Sequence, residues 1–138
     1  MQSYKIVDEP GAGRWQHIIV NPHGILLVAI MLPFFWRPPL MGQVWMPLLW
    51  VGLNGVFLGS PTLRREFAVI AGGVAMYVAT LAAAVYVRNH GDLAEPDRIW
   101  PYVRILLQAV FFITLYLVVF MQSAPYAIHE YVKEQAAR

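Results

Sequence analysis

Residues 67–87 read FAVIAGGVAMYVATLAAAVYV, a stretch with no Lys, Arg, Asp or Glu. Arg64, Arg65 and Glu66 stand just before it and Arg88 just after it. A bilayer core is crossed by about 20 mostly apolar helical residues. A charged side chain at its centre costs several kcal/mol. An uncharged run of this length, bracketed by charge, reads as a transmembrane helix.

Working outward, three more stretches have the same property: residues 15–36, 38–63 and 105–129 contain no Lys, Arg, Asp or Glu. Their apolar runs are continuous and do not alternate, which excludes a transmembrane β-barrel. The expected fold is therefore an all-α integral membrane protein. Four transmembrane helices, near 18–36, 43–59, 66–88 and 100–122, form an up-and-down bundle. A short amphipathic helix is expected after Ser123-Ala124-Pro125, over residues 126–138. The chain then divides into a polar N-terminal segment (1–17), the four-span bundle (18–122) and an interfacial or cytoplasmic tail (123–138).

Composition agrees. Of the 138 residues, 59% are apolar and 13% charged, about half the charged share of an ordinary soluble domain. A soluble domain this small would have too much surface for so few charges. The basic residues are scattered, so no nucleic-acid-binding face forms. With no cysteine, thiolate metal sites, iron–sulfur clusters and cysteine nucleophiles are excluded. The first fourteen residues are polar and no small-residue cleavage site follows the first apolar run, so that run is expected to be a retained signal-anchor.

Local signals place the helix ends. Asn21-Pro22-His23-Gly24 interrupts the first span, and Pro22 suits a first helical turn. Trp15 to Val20 would then form an interfacial lead-in. Arg37-Pro38-Pro39 is a rigid turn before the second span. Ser60-Pro61-Thr62 breaks the chain again, with Ser60 as expected N-cap of the third helix. Arg88-Asn89-His90-Gly91 is a suitable helix end. The acidic loop 92–97 follows.

Orientation comes from Lys and Arg. Lys5, Arg14, Arg64, Arg65, Lys133 and Arg138 share one side; Arg37, Arg88, Arg98 and Arg104 share the other. The short loop holding Arg64-Arg65 weighs most under the positive-inside rule. Both termini are expected to be cytoplasmic, in a multi-pass protein of a bacterial-type inner (plasma) membrane.

Three groups of residues carry the functional expectation. Ala71, Ala75, Ala79 and Ala83 recur every four residues, with Ala68 and Gly72 beside them. Residues so spaced stack in one stripe, and small side chains let helices approach closely in lipid. The expectation is that this helix is the hub of its own bundle; the alternative is that the stripe faces another subunit. Asn54, Thr80, Gln108 and Thr114 are the polar residues in the spans; Asn54 and Gln108 are expected to hydrogen-bond between helices, and no ionisable residue is expected at depth. Arg64 and Arg65 are candidates for docking to anionic lipid or to a partner, beside their role as a topology signal. No metal site is expected. His23 and His129 are the candidates for an alternative in which paired imidazoles hold haem b, but they lack ligand-type spacing and any carboxylate in the spans. No nucleophile–base pair, phosphate loop or zinc-type spacing occurs, so no enzymatic activity is expected.

The partners are then the lipid bilayer and other integral membrane subunits, with no nucleic acid. The expected role is a small accessory or structural subunit of a larger respiratory, photosynthetic, secretion or export complex. One alternative is a homo-oligomeric small-molecule carrier or channel. Another is a quinone-linked haem membrane anchor.

Overall fold

In the computed structural model, residues 18–35, 42–91 and 96–136 are described. The polar segment 1–17, the Arg37-Pro38-Pro39 turn, the acidic residues 92–95 and the last two residues lie outside them. Four α-helices follow one another: α1 (Pro22–Phe35), α2 (Gly42–Leu58), α3 (Leu63–His90) and α4 (Trp100–Ala136), with a 3₁₀ turn over Pro96–Ile99 before α4.

The Asn21-Pro22 signal works as a helix start. Asn21 Oδ1 accepts the backbone N–H of His23 at 2.9 Å, satisfying one of the donors that a first turn leaves free, and Pro22 has none to satisfy. At the end of α2, Gly59 takes φ +63°, a region that L side chains rarely enter. Its N–H reaches Val56 O and that of Ser60 reaches Gly55 O, both at 3.1 Å. This paired closure uses up carbonyls that the helix end would otherwise leave open. The N-cap of α3 is Thr62, not the expected Ser60, and Thr62 caps without a side-chain bond. Ser60 stands instead in the turn before the helix, its carbonyl accepting the Leu63 N–H at 3.1 Å and its hydroxyl the Thr62 N–H at 3.3 Å.

The helices run up and down. Glu66 meets Gln122, Gly73 lies against Thr114, and Arg88 lies over the Trp100 ring at 5.8 Å. Those three contacts set α3 antiparallel to α4 along its length. Gly52 beside Ile70 and Gly55 beside Glu66 set α2 antiparallel to α3. The start of α1 meets the end of α2 through Val20 and Asn54. One end of the bundle thus gathers the start of α1, the end of α2, the start of α3 and the latter part of α4.

Two helices are long and apolar enough to cross a membrane, α3 and α4. At 1.5 Å per residue they measure roughly 42 and 55 Å, against a hydrocarbon core of about 30 Å. The other two are shorter, 14 and 17 residues, or roughly 21 and 25 Å. The four-span expectation is therefore met in full length by α3 and α4 only.

Two further expectations are corrected. The separate C-terminal amphipathic helix does not exist as such, because α4 continues unbroken through Pro125 to Ala136. Proline removes one helical N–H, but here the flanking turns keep their bonds and the helix carries on. The hub of the bundle is α4 rather than α3. Packing of α4 against α1, α2 and α3 buries Phe111, Leu115, Val118 and Val119 together with Ile25, Ala29, Leu48 and Val51. Only 6% of the apolar stretch of α3 is buried, against 33% for α4.

Candidate functional site

The end of the bundle where four helix ends meet is not apolar. Asn54, Ser60, Glu66 and Gln122 are all buried there, Glu66 and Gln122 to within 1% of completely. Burying such groups is costly unless each finds partners, and here each does.

The chain of contacts begins before α1. Val20 N–H donates to Asn54 Oδ1 at 2.9 Å. Asn54 Nδ2 donates to Gln122 Oε1 at 3.2 Å. Gln122 Nε2 uses both its hydrogens, one to Val51 O and one to Glu66 Oε2, each at 2.8 Å. The Glu66 carboxylate takes two more donors on Oε1: Thr62 Oγ1 at 2.8 Å and the Ser60 hydroxyl. Among the described residues no buried side-chain nitrogen or oxygen lacks a partner.

The direction of these bonds matters. A backbone carbonyl only accepts, so Val51 O fixes the Gln122 amide with its nitrogen toward Val51 and Glu66. That leaves the Gln122 oxygen for Asn54, and the Asn54 oxygen for Val20. Every amide dipole in the chain points its donor end toward the acid. Glu66 is held as an acceptor of three neutral donors from two elements, the 60–62 turn and α4. Through Gln122 and Asn54 it is tied to α2 and to the entry of α1.

Gly55 makes room for this. A Cβ there would come within 2.6 Å of Gln122 Nε2 and closer still to Glu66 Oε2. The Gly59 turn then folds Ser60 back over the carboxylate.

The expected site residues are distributed differently from one another. Asn54 sits inside this network. Thr80 bonds its own helix at Met76 O, 2.8 Å away, and Gln108 is exposed on α4. The three do not converge. Ala68, Ala71, Gly72, Ala75, Ala79 and Ala83 are all exposed. The face of α3 that turns inward carries Glu66, Ile70, Gly73, Tyr77 and Ala84 instead, at a spacing close to 3.5, and lies roughly opposite the stripe. Arg64 and Arg65 are exposed at the start of α3. His23 is exposed in the first turn of α1, and His129 is half-buried on the extension of α4. Among the described residues no group of three or more His, Asp or Glu side chains assembles.

Glu66, Gln122 and Ser60 are the members that sequence reasoning missed; Glu66, at the boundary of the uncharged run, turns into the bundle rather than out of it. The signal was present. Glu66 directly precedes 21 uncharged residues, and in an up-and-down bundle the end of α2 and the latter part of α4 must come beside it. A glycine next to Asn54 marks the close approach.

The comparisons with known proteins add no relative: no protein-family profile matches the chain, no curated protein is significantly similar to it, and no solved structure matches it.

Proposed function

We propose that the chain is a small accessory subunit of a larger bacterial-type inner-membrane complex. It contributes helix packing and assembly, has no catalysis of its own, and keeps both termini cytoplasmic. The observation that supports this is the outward face of α3. Six small residues, Ala68 to Ala83, lie exposed along one side of a helix long enough to cross the bilayer. In lipid, close backbone approach is what drives helices together. A face so formed, and unused within the chain, suits a transmembrane helix of another subunit. The carrier or channel alternative would use Asn54, Thr80 and Gln108 as a shared lining, and these three residues point to different surroundings.

The test is purification in mild detergent followed by native mass analysis. Co-purification with larger, different subunits is the expected result. A stable homo-oligomer that carries solute across liposomes would overturn the reading. Ala75→Leu with Ala79→Leu separates surface from core. Since both sites are exposed, the pair should change the stability of the isolated chain by no more than about 0.5 kcal/mol per site. It should nonetheless release the chain from its complex. A large loss of stability in the isolated chain would show that the stripe is internal.

Topology has its own check. The chain has no native cysteine, and Gln135 and His90 are exposed at opposite ends of the bundle. Cysteine placed at 135 should label with an impermeant reagent only after the cytoplasmic side is opened, and cysteine at 90 from the outer side of intact cells. Labelling of both from one side would refute the antiparallel crossing of α3 and α4.

A further inference from the structure

A groove runs along the outside of the bundle between α2 and α3. Leu48, Gly52 and Leu53 form one wall, and Phe67, Ile70 and Val74 the other; it holds about 190 Å³ and is open along one side. Gly52 is its floor. Lacking a side chain, Gly52 leaves a trough where Ile70 Cδ1 and Phe67 Cε1 are the nearest facing atoms. The walls lie in the uncharged stretch that begins at Phe67, so the trough opens into hydrocarbon. From Phe67 to Val74 it extends for roughly 10 Å along α3, the length of part of one acyl chain.

What stands above the groove distinguishes it from ordinary lipid-facing surface. Arg64 lies one turn before Phe67, and residues three apart share a side of a helix. It is exposed, whereas Arg65, also exposed, falls on the side of α3 that carries Ala68 and Gly72. Glu66, the one acid in α3, does not neutralise them, because its carboxylate turns inward onto Ser60, Thr62 and Gln122. The positive charge of Arg64 is thus left one helical turn before Phe67, at the end of the apolar trough. Guanidinium groups match phosphate oxygens in a planar fork.

We propose that this groove is a binding site for one anionic diacyl phospholipid. One acyl chain lies in the Gly52 trough and the phosphate headgroup is held at Arg64. The inference rests on membrane embedding and not on the identity of any partner subunit.

The experiment uses the full chain in mild detergent, with phosphatidylglycerol or phosphatidylcholine added and retained lipid counted by native mass spectrometry. The wild type should retain one phosphatidylglycerol in preference to phosphatidylcholine. Arg64→Gln should lower phosphatidylglycerol retention roughly tenfold, toward the phosphatidylcholine level, whereas Arg65→Gln, on the other side of α3, should not. Gly52→Leu fills the trough and should abolish retention of both lipids with helix content unchanged. Gly52→Ala is the milder form: its Cβ would meet Ile70 Cδ1 at 3.5 Å, an ordinary contact, so it should fold and retain less lipid. Equal retention of the two lipids by the wild type overturns the proposal, as does undiminished phosphatidylglycerol on both Gly52 variants. A wild-type dimer that Gly52→Leu converts to monomer, with lipid retention unchanged, would assign the groove to a second copy and also overturn it. Loss of complex partners without any change in lipid counts would bear on the subunit reading alone.

Discussion

Glu66→Ala should loosen the end of the bundle by about 2–4 kcal/mol, the largest single effect expected of any polar residue in the chain. The substitution leaves Gln122 Nε2, Thr62 Oγ1 and the Ser60 hydroxyl without the acceptor they share. A buried donor left unpaired costs about 1–3 kcal/mol. Interhelical hydrogen bonds in membranes average less than this because the unfolded chain in lipid finds partners too, which keeps the total below a simple sum. Glu66→Gln should fall between wild type and alanine. Its carbonyl oxygen can still accept from Ser60 and Thr62, but its amide nitrogen then faces the Gln122 nitrogen. Turning Gln122 over to relieve that contact would set its nitrogen against Asn54 Nδ2 and its oxygen against Val51 O. Unfolding in mixed micelles with rising SDS, followed by circular dichroism, orders the three proteins. If alanine, glutamine and wild type unfold together, the network does not hold the helix ends.

The second large effect contrasts two adjacent glycines. Gly73→Ala should destabilise by about 1–3 kcal/mol, the usual cost of forcing an extra group into a packed interface. A Cβ at residue 73 would lie 2.8 Å from Thr114 Cβ and closer to both atoms beyond it. Rotating the threonine cannot move its own Cβ. Thr114 is also buried, and its hydroxyl is bonded to Val110 O at 2.8 Å. The two helices must therefore move apart. Gly72→Ala meets nothing within 4 Å. It should stabilise α3 by about 0.5–1 kcal/mol through the backbone entropy that alanine saves in a helix interior. Thr114→Gly should rescue Gly73→Ala in part, with a coupling that a double-mutant cycle measures. The same SDS titration checks all four proteins. Equal effects at 72 and 73 would mean that α3 is turned differently about its axis.

These two experiments fall where sequence reasoning and structure part. Periodicity alone singled out Gly72 with the alanine stripe, and the helix instead packs through Gly73. The buried acid reads in the sequence only as one of the charges that bracket the apolar run. Both departures have one cause. In a soluble helix the polar side shows which face is out, whereas residues 67–87 are uncharged all round, so the pattern carries no sign for inside and outside. A four-residue repeat of alanine shows that one side of the helix is small and where that side lies. It does not say whether that side packs within the same chain. Glu66 stands at the boundary between the arginines and the apolar run, where a shift of one residue turns a side chain by roughly 100° from solvent into the bundle.

The charge-free stretches and the breaks at Asn21-Pro22, Ser60-Pro61-Thr62 and His90-Gly91 were enough to determine four helices, their order and their antiparallel course, because those depend on local chemistry and on chain connectivity. The tertiary structure alone decided that α4 is the hub, that α3 shows its small residues outward, and that Ser60, Glu66, Gln122 and Asn54 close one end together. Those outcomes depend on contacts between residues as far apart as Asn54 and Gln122, and where every face is apolar only the fit of one helix against another selects among them.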